Sequence, residues 1–392
     1  MMELTIKRQV LLEALGPVAA VVPVRTTKPI LQMIRFDAEP AEKKDATETS
    51  RLHLAATCQD ISVLRTVEGP PAVLHVGKNC GGRLLYEPGR LIRILKELDD
   101  ETVTLRTDPK GAAIQGNGAR FVLPTVDETE AQKFPAVTPW DQPDFRFEIQ
   151  AGQLRKMLKK TLFAVSKKEV LQRFAVSGIL WELEGEKLIL AGTDTKRLSV
   201  VETKVERNGE APPSEGKPPS LIVPRETCEL LLSTLDEDDT APVRASVIPT
   251  EAVFQVGSLT IRSIMVAGRF PPWRDIIPKK AQAKYQVETE PTIRSLKQSK
   301  SMTNKETFRV DLVFGMGGLT ILAGDKDAGD SELFVEHKEW AGKSEAAFNP
   351  DYLIDVLKSV DGDSIQAEIG GHGKPSVFRS GDEYTHLIMA LS

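Results

Sequence analysis

One segment of this chain occurs three times. The run from Glu87-Pro88-Gly89-Arg90 to Leu98-Asp99 returns from Val223-Pro224-Arg225-Glu226 to Leu235-Asp236, and again from Asn349-Pro350-Asp351-Tyr352 to Val360-Asp361. The spacing is that of a domain, too long for a solenoid unit. Each copy predicts a short helix with proline in its first turn, where the missing N–H leaves no bond unmade. A second segment keeps nearly the same period: Leu52-His53-Leu54-Ala55-Ala56-Thr57, Leu188-Ile189-Leu190-Ala191-Gly192-Thr193 and Leu319-Thr320-Ile321-Leu322-Ala323-Gly324-Asp325. Its alternation of apolar and polar residues predicts strands. Further helices are predicted upstream, over 7–19, 151–163 and 291–302. Every domain then reads as helix, strands, helix, strands, so the chain holds six similar units.

A chain of 392 residues is too long for one hydrophobic core and suits three domains. The expected extents are 1–143, 144–281 and 282–392, with boundaries at Asp141-Gln142-Pro143 and near 279–284. The Pro- and Ser-rich run 211–220 predicts a surface loop, and the charged run 41–50 a second exposed insertion.

The net charge of −5 argues against nucleic-acid binding by bulk attraction. Its distribution is uneven, however. On the helix around 153–163, Leu154, Met157, Leu158 and Leu162 form one side and Arg155, Lys156, Lys159 and Lys160 the other. On the helix from Pro88, Arg90, Arg93 and Lys96 oppose Leu91, Leu95 and Leu98. Arg294, Lys297 and Lys300 make a looser third row. Such rows suit phosphates, which need no sequence readout. The second and third proline-started helices carry Glu226, Glu229, Asp351 and Asp355 instead, so a basic surface built from these helices is incomplete.

Reactive chemistry is sparse. Cys58, Cys80 and Cys228 are too scattered for zinc and read as free thiols of a reducing compartment. None of the five histidines has a partner at metal spacing. Gly370-Gly371-His372-Gly373-Lys374-Pro375 lacks the Ser/Thr and following helix of a phosphate loop, and Gly315-Met316-Gly317-Gly318 reads as a hairpin turn. No catalytic residue, metal site or cofactor is expected. No apolar run reaches membrane-spanning length, and residues 1–20 carry charges unlike a signal peptide.

Four stretches carry a resemblance to a known family. They are Gly192-Thr193-Asp194-Thr195-Lys196-Arg197-Leu198-Ser199-Val200, Ile222-Val223-Pro224-Arg225, Ala267-Gly268-Arg269-Phe270-Pro271-Pro272-Trp273-Arg274-Asp275-Ile276-Ile277-Pro278-Lys279 and Phe348-Asn349-Pro350-Asp351-Tyr352-Leu353-Ile354-Asp355-Val356-Leu357. In this order, and over essentially the whole chain, the sequence resembles the bacterial sliding clamp, the beta subunit of the replicative DNA polymerase. The resemblance implies an α+β fold: three tandem copies of a doubled helix-plus-antiparallel-sheet domain, closed into a ring by a head-to-tail homodimer. It implies a non-enzymatic cytoplasmic processivity factor that encircles double-stranded DNA. Its partners would be polymerase subunits, the clamp loader and repair proteins, docking through short peptide motifs.

Residue by residue, the resemblance places a peptide pocket at Val176, Thr193, Thr195, Arg197, Leu198, Pro271, Ile276, Leu387 and Met389. It points to DNA contact at Arg25 and at Lys167, Lys168 and Arg173, to which the basic rows add Arg155, Lys159, Arg90 and Arg93. The subunit interface would join Phe121 and Leu123 to the region of Met302. The chain departs from the family at Thr195, where glycine is usual, at Lys196, where histidine is common, and at Asp275, where a basic residue is frequent. Its C-terminus, Ile388-Met389-Ala390-Leu391-Ser392, lacks the usual proline and arginine. An intact but reshaped pocket is expected. These departures leave an alternative: a diverged scaffold of the same fold that binds partners without being loaded on DNA.

Overall fold

In the computed structural model every one of the predicted helices is fed directly by a strand. The structure describes residues 2–44, 47–116, 118–126, 128–140, 146–166, 175–209, 220–248, 251–281, 283–304, 307–315, 317–325, 329–336 and 342–391. Among these, six repeats follow one plan: a lead strand, a helix, then three antiparallel strands. The lead strand and helix of each are Glu3–Lys7 with Arg8–Ala19, Gly82–Tyr86 with Pro88–Glu97, Arg146–Gln150 with Ala151–Leu162, Ser220–Pro224 with Arg225–Thr234, Ala283–Glu288 with Thr289–Ser299, and Ser344–Phe348 with Pro350–Lys358.

The prolines work as expected at two of three sites. Pro88 and Pro350 open their helices, and the preceding side chains cap them: Glu87 accepts from the N–H of Gly89 and Arg90, and Asn349 from that of Asp351 at 2.9 Å. Pro224 instead ends its strand, and the helix begins at Arg225.

Repeats are interlocked in pairs. The lead strand of each repeat adds to the three strands of its neighbour. Glu3–Lys7 pairs with Thr102–Asp108, and Gly82–Tyr86 with Ile34–Lys44. Arg146–Gln150 pairs with Pro242–Ile248 and Ser220–Pro224 with Gly178–Glu184; Ala283–Glu288 pairs with Ser364–Ile369 and Ser344–Phe348 with Val310–Gly315. Neither half of a pair completes its sheet alone, which is why the sequence period is a doubled unit. Helices cover one face: Leu11, Leu15, Leu91 and Leu95 are wholly buried in the first pair, as are Leu154 and Leu158 in the second.

Contacts divide the chain into two compact units. One comprises Met1–Ala151, Asn208–Glu210 and Ser233–Ile264; the other comprises Gly152–Arg207, Ala211–Leu232 and Met265–Ser392. This grouping differs from the sequence period for a physical reason, because each unit contains a β-ladder joining repeats of different pairs. In the first, Ile61–Gly69 of the first repeat pairs with Leu259–Ile264 of the fourth, from Leu259 opposite Arg65 to Ser263 opposite Ile61. In the second, Arg197–Lys204 of the third repeat pairs with Tyr384–Met389 of the sixth, from Tyr384 opposite Val201 to Ile388 opposite Arg197. A ladder carries the same hydrogen bonds across such a seam as inside a repeat.

One loop expectation changes. Most of the run 41–50 is strand rather than loop: Ile34–Lys44 pairs with Thr47–Thr57, with a register shift between Glu39 and Glu42. Its charges, without apolar alternation, had masked the strands. Residues 370–375 turn between Ser364–Ile369 and Pro375–Ser380 with Gly371 and Gly373 at positive φ, so they are a hairpin connection rather than a phosphate loop. Of the loop predicted at 211–220, only Ser220 is described, and it starts a strand.

Candidate functional site

At the second seam one arginine of the expected pocket joins two repeats. Arg197 starts its strand, and its guanidinium bonds Asp194 at 3.0 Å, Asp355 at 2.7 Å and the Phe163 carbonyl at 2.6 Å. It lies 4.5 Å from the ring centre of Tyr352 and 5.4 Å from that of Phe163. A charge this enclosed is tolerated because every face of the planar group is matched, by carboxylates at its edge and rings above it. Arg197 thus ties the third repeat to the sixth. The sequence reading counted Asp355 against a basic surface, whereas the fold gives it to Arg197. Asp351 and Glu229 are likewise taken up, by Lys300 at 2.5 Å and Arg225 at 2.8 Å.

The turn before this strand is tied locally. The Thr193 hydroxyl donates to the Arg197 carbonyl at 2.6 Å and accepts from the Thr195 N–H at 3.1 Å, with Thr195 at φ 77°. That conformation suits the glycine usual in the family and strains a β-branched residue. On the other side of the seam, Met389 N–H donates to the Lys196 carbonyl at 2.9 Å and Leu391 N–H to the Ala347 carbonyl at 2.7 Å, so the altered C-terminus remains anchored.

Beneath the turn lies an apolar cluster containing Leu180, Ile189, Leu198, Ile222, Val377 and Leu387. Phe270, Trp273 and Ile277, from the segment after the fourth repeat, pack on it but are only partly buried. The nine expected pocket residues therefore divide. Val176, Thr193, Leu198 and Leu387 are buried, the last two within the cluster, and Arg197 is held by its ion pair with Asp194. Ile276 and Met389 are 43 % and 41 % exposed, and Thr195 is exposed too. Pro271 lines a cleft of about 570 Å³ shared with Leu180, Ile222, Phe270 and Trp273. The lid residues Phe270, Trp273 and Ile277, together with Tyr352, were not assigned from sequence. All four stand in the motif stretches quoted above, so the signal was present without a structural role to attach to it.

Deeper still, His386 is fully buried, and among the described residues neither ring nitrogen has a hydrogen-bond partner. Burial, with the Arg197 charge second, lowers its pKa to about 3. Tyr384 on the same strand bonds Ser199 at 3.2 Å and Ser359 at 2.8 Å, and burial pushes its hydroxyl up to about 12.

The basic rows are narrower than helical spacing predicts. Arg155 is half-buried and donates to the Leu232 carbonyl at the end of the helix Arg225–Thr234, while Arg225 donates to the Leu162 and Val165 carbonyls, each at 3.0 Å. Each arginine satisfies carbonyls that a helix end leaves unpaired. Arg155 is therefore engaged by its neighbour, which corrects its place in a solvent-facing row. Lys160 similarly reaches Asp361 at 2.5 Å, whereas Lys156 and Lys159 remain exposed. Arg90 and Arg93 are exposed, with Arg93 also donating to the Gly89 carbonyl at 3.1 Å, and Arg25 is exposed. Lys167, Lys168 and Arg173 lie outside the described residues.

Of the expected interface residues, Phe121 is 39 % exposed on the strand Arg120–Leu123, Leu123 is buried and Met302 is half-buried. Phe308 and Phe334, unassigned from sequence, are also large and exposed.

Three family models match nearly end to end. Residues 2–138 match the N-terminal domain of the DNA polymerase III beta subunit, 148–272 its central domain and 274–392 its C-terminal domain. The chain belongs to this family. The family is an accessory subunit of the replicative polymerase and not a catalytic one. The Beta sliding clamp of Staphylococcus aureus is 24% identical over 397 residues, covering 100% of this chain and 99% of that one. That of Chlamydia muridarum is 22% identical, with the same coverage. Among solved structures, the Bacillus subtilis DNA polymerase sliding clamp superposes with a TM-score of 0.86 at 21% identity, covering 100% of this chain and 99% of that chain. A Bartonella birtlesii sliding clamp bound to griselimycin gives 0.85 at 25% identity, with the same coverage. The family's domain order thus matches the order of the three repeat pairs.

Proposed function

We propose that this chain is a DNA sliding clamp: two copies close head to tail around duplex DNA and tether polymerase subunits, the clamp loader and repair proteins. One topological observation supports closure most directly. The last strand of the first repeat pairs with that of the fourth, and the last strand of the third with that of the sixth. The last strands of the second and fifth repeats, Arg120–Leu123 and Gly329–Glu336, are left as sheet edges. The same rule, applied once more, pairs the fifth repeat of one copy with the second of another. Each edge carries an exposed phenylalanine, Phe121 on one and Phe334 on the other. An unpaired edge with apolar side chains is a liability unless another strand covers it. Two such contacts related by a two-fold axis close a ring without leaving a free end.

Within that ring Arg25, Arg90, Arg93, Lys159, Lys167, Lys168 and Arg173 would meet the phosphates. Retention is topological, so screened contacts suffice and an acidic chain can hold DNA without binding it tightly. The partner pocket would be the partly open cluster at the second seam, with Ile276 and Met389 offering apolar contact. No helix among the described residues is long and apolar enough to cross a membrane, and the reading places the protein in the cytoplasm. Loading onto nicked circular DNA with a clamp loader, then cutting the circle, tests the proposal. Release on linearisation is the expected result. Retention after cutting would mean surface binding, and failure to load beside a control clamp would favour the diverged scaffold.

A further inference from the structure

A second cleft, of about 720 Å³, opens beyond the lid where the segment 273–281 faces strands Ala283–Glu288, Ser364–Ile369 and Pro375–Ser380. None of the nine residues assigned to the peptide pocket lines it. Its apolar wall is Trp273 and Ile277, and its charged lining is one-sided. Lys279, Lys280, Lys284 and Arg379 stand against one carboxylate, Glu368. Glu368 is itself buried and already met by Lys284 at 2.7 Å and Arg379 at 3.6 Å. Arg274, at the rim, is satisfied elsewhere: it bonds Glu182 and Glu184 and stacks 4.2 Å from the Trp273 ring. Lys279 and Lys280 are exposed and have no carboxylate partner among the described residues. In a chain of net charge −5, this is a concentrated positive lining that the fold leaves unneutralised.

We infer that this cleft docks an extended acidic segment of a partner protein. Carboxylates would pair with Lys279 and Lys280 at the mouth, and an apolar side chain would rest on Trp273 and Ile277. The buried Glu368 sharpens the selection. It holds Lys284 and Arg379 in place, and it repels any carboxylate that passes too deep, so recognition stays at the mouth. The lid segment that carries Ile276 also supplies one wall here. A partner holding both places at once would gain from effective concentration even if each contact were weak. The inference needs only the cleft and its charge, and stands whether or not the ring closes.

Fluorescence anisotropy of the full-length protein with a labelled glutamate-rich peptide bearing one central leucine tests it, beside the glutamine counterpart of that peptide. The glutamate peptide should bind and weaken with salt, and the glutamine peptide should not bind. The double variant Lys279→Glu/Lys280→Glu should lower affinity by about an order of magnitude, and Lys279→Gln/Lys280→Gln by less. Unchanged melting would show that both variants fold, since these side chains are exposed. Equal binding by wild type and the charge-reversed variant would overturn the assignment, as would equal binding of the glutamine peptide. Displacement of the peptide by a duplex oligonucleotide that itself depends on Lys279 and Lys280 would make the cleft a nucleic-acid site instead.

Discussion

The two seams are built alike and finished differently. Each joins last strands over five residue pairs, and each is preceded by a turn in which a threonine hydroxyl accepts from a residue at positive φ: Thr57 with Gln59, and Thr193 with Thr195. Each of the first two pairs of repeats is followed by a segment that packs back on a sheet. After the second repeat, Ala131, Phe134 and Val137 are buried against Ala55, Leu64 and Leu85, and Arg35 lies 5.4 Å from the Phe134 ring centre. After the fourth, Phe270, Trp273 and Ile277 are only partly buried, and Ile276 is left outward. One segment seals its sheet and the other covers it incompletely. The open cover is where the family motif residues collect. On the proposed function, a duplicated fold would make its binding surface by under-packing one copy of a contact that elsewhere is closed.

The largest expected effect tests that contrast directly. Phe134→Ala should destabilise the fold by about 3–5 kcal/mol in urea unfolding, because it empties a sealed site. Ile276→Ala should cost less than about 1 kcal/mol yet weaken binding of a clamp-binding peptide. Comparable stability losses in both would erase the distinction between sealed and open cover.

The next effect is set by pH. At equivalent rungs of the two ladders stand Ile261, opposite Val63, and His386, opposite Ser199. His386 has its pKa lowered to about 3 from 6.5. Below the unfolded value the unfolded chain takes up a proton that the folded chain refuses. Its contribution is therefore complete above that value and is lost as pH falls toward the folded one. The loss should be at most about 1.4 kcal/mol per pH unit within that window. His386→Ile copies the first seam and should remove this part of the slope, as read from urea unfolding across the window. An unchanged slope would mean that His386 finds a proton acceptor in the folded protein.

The smallest effect concerns the paired turns. Thr195→Gly should raise stability by about 1 kcal/mol, since a β-branched residue is the more strained at φ 77°. Gln59→Gly, at φ 86°, should gain less. The reverse order in thermal melts would show that the Thr193 bond, rather than backbone strain, governs the second turn.

Sequence periodicity alone carried the doubled domains and the helices, because proline in a first turn and alternating apolar residues act locally. It also carried the order of the motif stretches, on which the family resemblance rests. It left most of the lead strands unread, because they are short and their partners lie in the neighbouring repeat. The strands within 41–50 were hidden as well, since a charged run without apolar alternation has no stripe to read. Arg155 looked like a surface cation by spacing, and only the packed helix end showed where its charge is spent. Arg197 and Asp355 are far apart in sequence, so no local rule could join them. What the sequence determined is what near neighbours set: the helices, the alternating strands, the period and the list of candidate side chains. Which strands meet at a seam, which carboxylate takes which cation, and which cover stays open were decided by tertiary structure. Each of those depends on the fit of surfaces brought together only when the chain has folded.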